Sequence, residues 1–245
     1  MHQPHAQKIV TEFGVDAILE TLAPFVSEAR SERIDDILAA RLTSVGIVLE
    51  NLYDSHNGAA AIRSVEAFGL TGLDVVETEH QFSSASGVTM GCDKWITLRR
   101  HPTMAACANT LRGRGFTVYA TLPGAKQSIL DIDVSSPVAL VFGNEHAGLT
   151  PEAVEACDAG VSIPMYGFTQ SFNLSVSVAL SVQELAKRRR DHLQRAGDLN
   201  DQERARLRAE WYVQSVKAAA QILDRECVKL DTGSVAAETQ PQQDR

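Results

Sequence analysis

The chain has 245 residues, 44% of them hydrophobic and 22% charged, which is enough for one substantial domain with its own core and terminal extensions. Its formal net charge of −8 argues against a protein that holds nucleic acid by bulk positive charge. No apolar run approaches the roughly 18 residues that span a bilayer, and the opening Met1-His2-Gln3-Pro4 carries no basic-then-apolar leader, so a cytoplasmic location without membrane contact is the expectation.

In chain order, the first dozen residues are polar and expected to be loose. From Val15 to Leu42 the apolar residues Ile18, Leu22, Phe25, Ile34, Ile37 and Leu38 recur at helical steps, with Pro24 positioned to kink or end the first helix. Val45–Leu49 is a continuous apolar run, as in a strand buried on both faces, and a helix over Gly58–Phe68 stops at Gly69. Strands are predicted at Leu73–Val76, Trp95–Leu98, Phe116–Ala120, Val138–Phe142 and Val161–Pro164. Helices are predicted at Pro102–Arg112 and, with proline at its first position, Pro151–Cys157. Residues 174–190 fit a strand of period two or one helix face, and length favours the helix. Asp201–Arg225 reads as a single helix, and Asp231–Arg245 as a disordered tail. Strands alternating with helices imply an α/β domain with a mainly parallel sheet.

Basic residues cluster at Arg99-Arg100-His101, at Arg112 with Arg114, and at Lys187–Arg190; each cluster alone reads as a solvated helix end or face rather than an RNA contact. The four cysteines, Cys92, Cys107, Cys157 and Cys227, lack metal or redox spacing, so reduced packing thiols and no bound metal are expected. No dinucleotide fingerprint, Walker loop or serine-hydrolase elbow is present.

Three segments concentrate glycine, asparagine and acid at strand ends, where open α/β sheets bind ligands. In Asn51–Gly58, Asn57 is placed to cap the following helix. Arg63 is expected near that helix's N-terminal end, an unfavourable place for a cation and hence a candidate anion contact, although a solvated surface arginine fits equally well. In Phe142–Leu149, Gly143 and Gly148 permit close approach of a ligand to the backbone, and Glu145 and His146 are candidate acid–base groups. In Ile163–Ser175, Ser171 and Asn173 are placed to cap a helix.

Together and in this order, Asn57-Gly58 through Arg63 to Gly69, Phe142-Gly143-Asn144-Glu145 with Gly148-Leu149, and Ile163-Pro164-Met165 with Ser171–Ser175 resemble the three motifs of the SpoU family of RNA 2′-O-ribose methyltransferases. The resemblance covers roughly residues 33–190, and the flanking segments are similar to the tRNA guanosine-18 (TrmH) group.

The resemblance implies a SPOUT fold, a parallel sheet with a C-terminal trefoil knot, flanked by helices. It implies a methyltransferase domain at 43–190 between helical extensions at 1–42 and 191–230. It also implies S-adenosylmethionine bound by Thr121, Gly143, Ile163 and Phe172, a tRNA substrate, and a homodimer through the third-motif helix, where Ser175, Ser177 and Ser181 suit close packing. Members usually carry leucine where this chain has Phe172. The family assigns proton removal to the first-motif arginine, here Arg63. Arginine is an unusual base, so a phosphate-holding role is the firmer expectation, with His56 and His146 as other candidate bases. Asn57, Glu145, Ser171 and Asn173 are expected to support the reacting centre. Another tRNA position, ribosomal RNA, or a non-catalytic RNA-binding role on the same fold are the alternatives.

Overall fold

A computed structural model describes residues 3–78 and 91–227. The tail expected beyond Asp231 lies outside the described residues. The chain divides into two compact units, one of residues 33–201 and one combining the segments 1–32 and 202–245.

In the larger unit, seven parallel strands are ordered β3-β2-β1-β6-β4-β7-β5: β1 (Val45–Glu50), β2 (Gly72–Val76), β3 (Thr97–His101), β4 (Thr117–Thr121), β5 (Gln127–Ser128), β6 (Val138–Phe142) and β7 (Ala159–Ser162). The central strands β1 and β6 are buried along their whole length, which explains their unbroken apolar runs. Their side chains alternate between two cores. Val45, Ile47, Leu49, Leu140 and Phe142 face α4 (Ser55–Ala67) and α7 (Leu174–Leu193). Val48, Ala139 and Val141 face α5 (Met104–Gly113) and α6 (Pro151–Ala156).

The ambiguous segment is therefore helix α7. Its Leu174, Val178, Val182 and Leu185 are buried while Val176 and Leu180 are exposed. Ser181 is wholly buried within the chain's own packing, so it is not available to a close contact with another helix surface; the outward apolar residues are Val176 and Leu180.

Several expectations are corrected. The basic clusters are solvated only in part: Arg100, Arg112, Arg114 and Lys187 are exposed, but most of the cluster residues are held by partners. On edge strand β3, Arg99 takes both oxygens of buried Asp74 at 2.8 Å, His101 Nε2 meets the same carboxylate at 2.8 Å, and Arg100 pairs with Glu77. Arg112 pairs with Asp158 at 2.8 Å. Arg188 donates to the carbonyls of Ile129 and Ile132, Arg189 to Val134, Ser135 and Ser44 Oγ, and Arg190 to Ala40, Phe68 and Ala196. These guanidiniums lash the end of α7 to loops whose carbonyls have no ladder partner. Strand β5 was not anticipated, because two residues carry no periodicity.

In the smaller unit, residues 3–13, expected to be loose, are ordered as a helix. They form α1 (Gln3–Phe13), with Ala6, Ile9, Val10 and Phe13 buried at helical spacing. Helix α2 (Val15–Leu22) ends at Pro24, which sits in a 3-10 turn. The expected single C-terminal helix is two, α8 (Asp201–Ser215) and α9 (Ala219–Glu226), broken where Ala218 adopts φ 60°. The remaining helix, α3 (Glu28–Ala39), runs across the boundary between the units. Among the described residues, no helix is long and apolar enough to cross a membrane.

The cysteines are free. Burial pushes the thiols of Cys107 and Cys157 up to about 12, which keeps them protonated and unreactive at neutral pH.

Candidate functional site

The carboxyl ends of β4, β6 and β7 open onto one cavity of about 650 Å³, within the range of small-molecule sites. Its walls come from the turn after β4, the Gly143–Leu149 loop after β6, and the segment between β7 and α7, with Asn57 from α4.

The end of β1 anchors the loops beside the cavity. Buried Glu50 accepts hydrogen bonds from Thr150 N (3.0 Å) and Oγ1 (2.7 Å), which fixes the start of α6. Asn51 leaves the strand with φ 48°, and its carbonyl accepts from Asn144 Nδ2 at 2.7 Å. Asn, with a short polar side chain, tolerates this left-handed turn better than most residues. Asp54, not Asn57, caps α4: its carboxylate accepts from His56 N at 2.8 Å. The helix thus begins three residues earlier than the sequence implied, and Arg63 sits more than two turns inside it, beyond the reach of the N-terminal dipole.

Freed from capping, Asn57 joins all three segments. Its Nδ2 donates to Glu145 Oε1 at 3.0 Å, and its Oδ1 accepts from Asn173 Nδ2 at 3.0 Å. Glu145 also receives the backbone N–H groups of Tyr53 and Asp54 at 3.3 and 3.4 Å. Asn173 caps α7 through Ser175 N at 2.9 Å, as the sequence implied. Ser171 makes no such cap and lines the cavity.

Gly143 answers to the chain itself. A Cβ at this position would overlap the Gly148 carbonyl and Leu149 N, because Asn144 and Gly148 exchange backbone hydrogen bonds at 3.0 and 2.9 Å across a tight loop. Gly148 adopts φ +74°, where a side chain is strained. The glycines therefore serve loop closure, and the expected close approach of a ligand is not what requires them.

Of the residues singled out from sequence, Asn57, Thr121, Gly143, Glu145, Ile163, Ser171, Phe172 and Asn173 all line the cavity, as does His146; Arg63 and His56 do not. The Thr121 hydroxyl is spent on Val141 O at 2.7 Å. Arg63 is exposed and makes no hydrogen bond or ion pair among the described residues. Cys92 lies near enough to feel its charge: burial raises the thiol's pKa and Arg63 pulls it down. Sequence reasoning gave no role to Glu50, Asn51, Asp54, Asn144 and Thr150, although Asn51, Asp54 and Asn144 lie in the segments it singled out; for Glu50 and Thr150 the signal was that polar residues abruptly follow an apolar strand or loop.

The cavity at the strand ends, walled by three loops of which Asn57 connects two, can take a mid-sized polar ligand against the sheet while leaving Glu145, His146 and Asn173 at its rim. Comparison with known proteins agrees with this layout. A model of the SpoU rRNA Methylase family matches residues 44–183. The tRNA (guanosine(18)-2′-O)-methyltransferase of Borreliella burgdorferi is 34% identical over 201 residues, 80% of this chain and 90% of that protein. The Aquifex aeolicus TrmH/SpoU tRNA modifying enzyme superposes with TM-score 0.69 at 29% identity, over 78% of this chain and 98% of that one. An AdoMet-bound rRNA methyltransferase from Sinorhizobium meliloti superposes with TM-score 0.54 at 30% identity, over 63% of this chain and 60% of that one. The family model spans all three cavity loops and the parallel sheet that carries them, so this chain belongs to the SpoU methylase family.

Proposed function

We propose that this protein transfers the methyl group of S-adenosylmethionine to the ribose 2′-hydroxyl of guanosine 18 in tRNA. The observation that carries the reading is the Asn173–Asn57–Glu145 network, which brings the three motif segments to the rim of a single cavity. The relatives named as tRNA (guanosine(18)-2′-O)-methyltransferases support the choice of RNA and position.

The lining suits the donor: apolar Leu122, Phe142, Ile163 and Leu174 lie beside loop backbone with polar groups to offer an adenosine. S-adenosylmethionine supplies a sulfonium-activated methyl group. Thr121, Gly143, Ile163 and Phe172 would hold it, Thr121 with its hydroxyl proton engaged and only its oxygen left to accept. The trefoil knot expected of the family would be formed by the cavity loops after β6 and β7, within a catalytic domain at 43–190.

Transfer to a hydroxyl needs in-line placement and removal of one proton. Arg63 binds the RNA phosphate and orients the ribose; lying outside the cavity lining, it reaches the reacting centre through the bound RNA or from a second subunit. Asn57, Glu145, Ser171 and Asn173 position the rim. His146, which lines the cavity, is the second candidate to accept the proton. In this reading the enzyme is a cytoplasmic homodimer that needs no metal, with the exposed Val176 and Leu180 of α7 at the dimer contact.

The test is transfer of labelled methyl from S-adenosylmethionine to unmodified tRNA, with the product mapped to a nucleotide. A 2′-O-methyl mark on guanosine 18 is expected. A mark elsewhere, or only on ribosomal RNA, overturns the assignment of substrate, and donor binding with no transfer overturns the assignment of activity.

A further inference from the structure

We infer that Tyr53, edge-on to His146 at the cavity rim, is a stacking platform for a nucleobase of the RNA substrate, a role that rests on the proposed methyl transfer to RNA. The two rings meet at 5.5 Å between centroids with a 72° interplanar angle, an edge-to-face pair. His146 lines the cavity, so the pair ties the tyrosine to its mouth.

The platform is preorganised. Tyr53 N and Asp54 N are both held by Glu145, and Asp54 in turn caps α4. Tyr53 nevertheless remains 66% exposed beside this fixed segment.

Charge gives the second argument. The chain carries −8 overall, and most of its arginine clusters are consumed internally: Arg99 on Asp74, Arg112 on Asp158, and Arg188, Arg189 and Arg190 on backbone carbonyls. Cations such as Arg63 and Lys187 stay exposed, and it is the net charge of −8 that limits binding by counterion release. Stacking on aromatic side chains supplies affinity without charge and is the usual means of holding an unpaired base. A base resting on Tyr53 would place its ribose beside the rim residues Glu145 and Asn173.

The experiment compares the full-length wild type with Tyr53→Phe, Tyr53→Leu and, as a control on another exposed aromatic outside the site, Phe25→Leu. It measures affinity for unmodified tRNA transcript by fluorescence anisotropy, affinity for S-adenosylmethionine by calorimetry, mass by sedimentation, and KM and kcat by methyl transfer. Tyr53→Phe keeps the ring and is expected to match wild type. Tyr53→Leu is expected to weaken RNA affinity and raise the RNA KM by about tenfold to a hundredfold, with donor affinity, mass and kcat at saturating RNA unchanged. Near-wild-type RNA affinity in Tyr53→Leu overturns the inference, as does an equal loss in Phe25→Leu, or a loss accompanied by changed mass or donor affinity. A wild type that binds RNA but transfers no methyl defeats the proposed function alone, and the binding comparison still decides Tyr53. A wild type that binds no RNA defeats both.

Discussion

Asn57 donates to Glu145 at 3.0 Å, linking the start of α4 to the loop after β6. The same carboxylate receives two backbone N–H groups, so removing it strands three donors at once. Glu145→Ala is expected to lower kcat more than the donor Kd, because it loosens the rim rather than the cavity walls. Asn57→Ala should have a smaller effect. In a double-mutant cycle the two are expected to couple by about 0.5–3 kcal/mol, as contacting members of one network do. Strict additivity would mean the hydrogen bond does not organise the site.

Arg63 lies outside the cavity lining, and this separates binding from chemistry. Arg63→Ala is expected to abolish methyl transfer while leaving the S-adenosylmethionine Kd within about twofold of wild type, a difference under about 0.5 kcal/mol. His146→Ala then discriminates the base: retention of turnover leaves Arg63 as the proton acceptor, and its loss at all pH values moves that role to His146. Near-normal turnover in Arg63→Ala would remove the arginine from the mechanism.

Gly143→Ala forces a methyl group into the Gly148 carbonyl and Leu149 N. The Asn144–Gly148 loop must open, so donor binding is expected to fall by at least about tenfold and stability by about 1–3 kcal/mol, the range for overpacking. Gly113→Ala, at the end of α5 with no atom within 4 Å of the added Cβ, is the control and should be neutral or slightly stabilising. Calorimetric titration and urea unfolding of both variants distinguish a local loop requirement from a general intolerance of alanine.

The parts of this molecule that were legible in the sequence are those where one physical force dominates. Val138–Phe142 and Val45–Leu49 are central strands with both faces covered, so burial alone writes their composition. The three loops were legible because asparagine, glycine and acid cluster at strand ends, and all but one of the proposed site residues reach one cavity. The rest was hidden where two effects compete. Strand β3 reads as a basic patch because its charges face buried Asp74 and Glu77, which only the parallel register beside β2 reveals. Asn57 looked like a cap because Asp54 does the same job three residues earlier. The break between α8 and α9 falls at Ala218, where no glycine or proline marks it.

The end of α7 carries a testable form of that lesson. Arg189 is only 7% exposed, with Nη1 on Val134 O and Ser135 O at 2.6 and 2.8 Å and Nε on Ser44 Oγ at 2.8 Å. Arg189→Leu leaves buried carbonyls without donors, and Arg189→Lys offers a single ammonium where a planar fork is needed. Both are expected to lower the urea-unfolding free energy, the leucine variant by on the order of 3 kcal/mol. Lys187→Ala removes only an exposed i,i+4 pair with Asp191 and should stay within about 0.5 kcal/mol of wild type. An equal loss in the lysine-187 variant would point to helix propensity instead of the buried guanidinium.

Asp74 makes acid stability depend on the β2–β3 edge. Burial pushes its carboxyl pKa up, but hydrogen bonds from His101 and Arg99, with their charges, more than offset this and hold it below the ordinary carboxylate value. A carboxylate depressed in the folded state adds stability that is fully present above its unfolded pKa, about 3.9, and is lost as pH falls through the lower folded value. The wild-type urea midpoint is therefore expected to drop on acidification below about pH 4. Asp74→Asn should be less stable at pH 7, where Arg99 and His101 lose their charged partner, and its midpoint should fall less steeply over the same acid range. Parallel curves for the two proteins would place the acid sensitivity on other carboxylates and leave the Asp74 pair without a thermodynamic role at low pH.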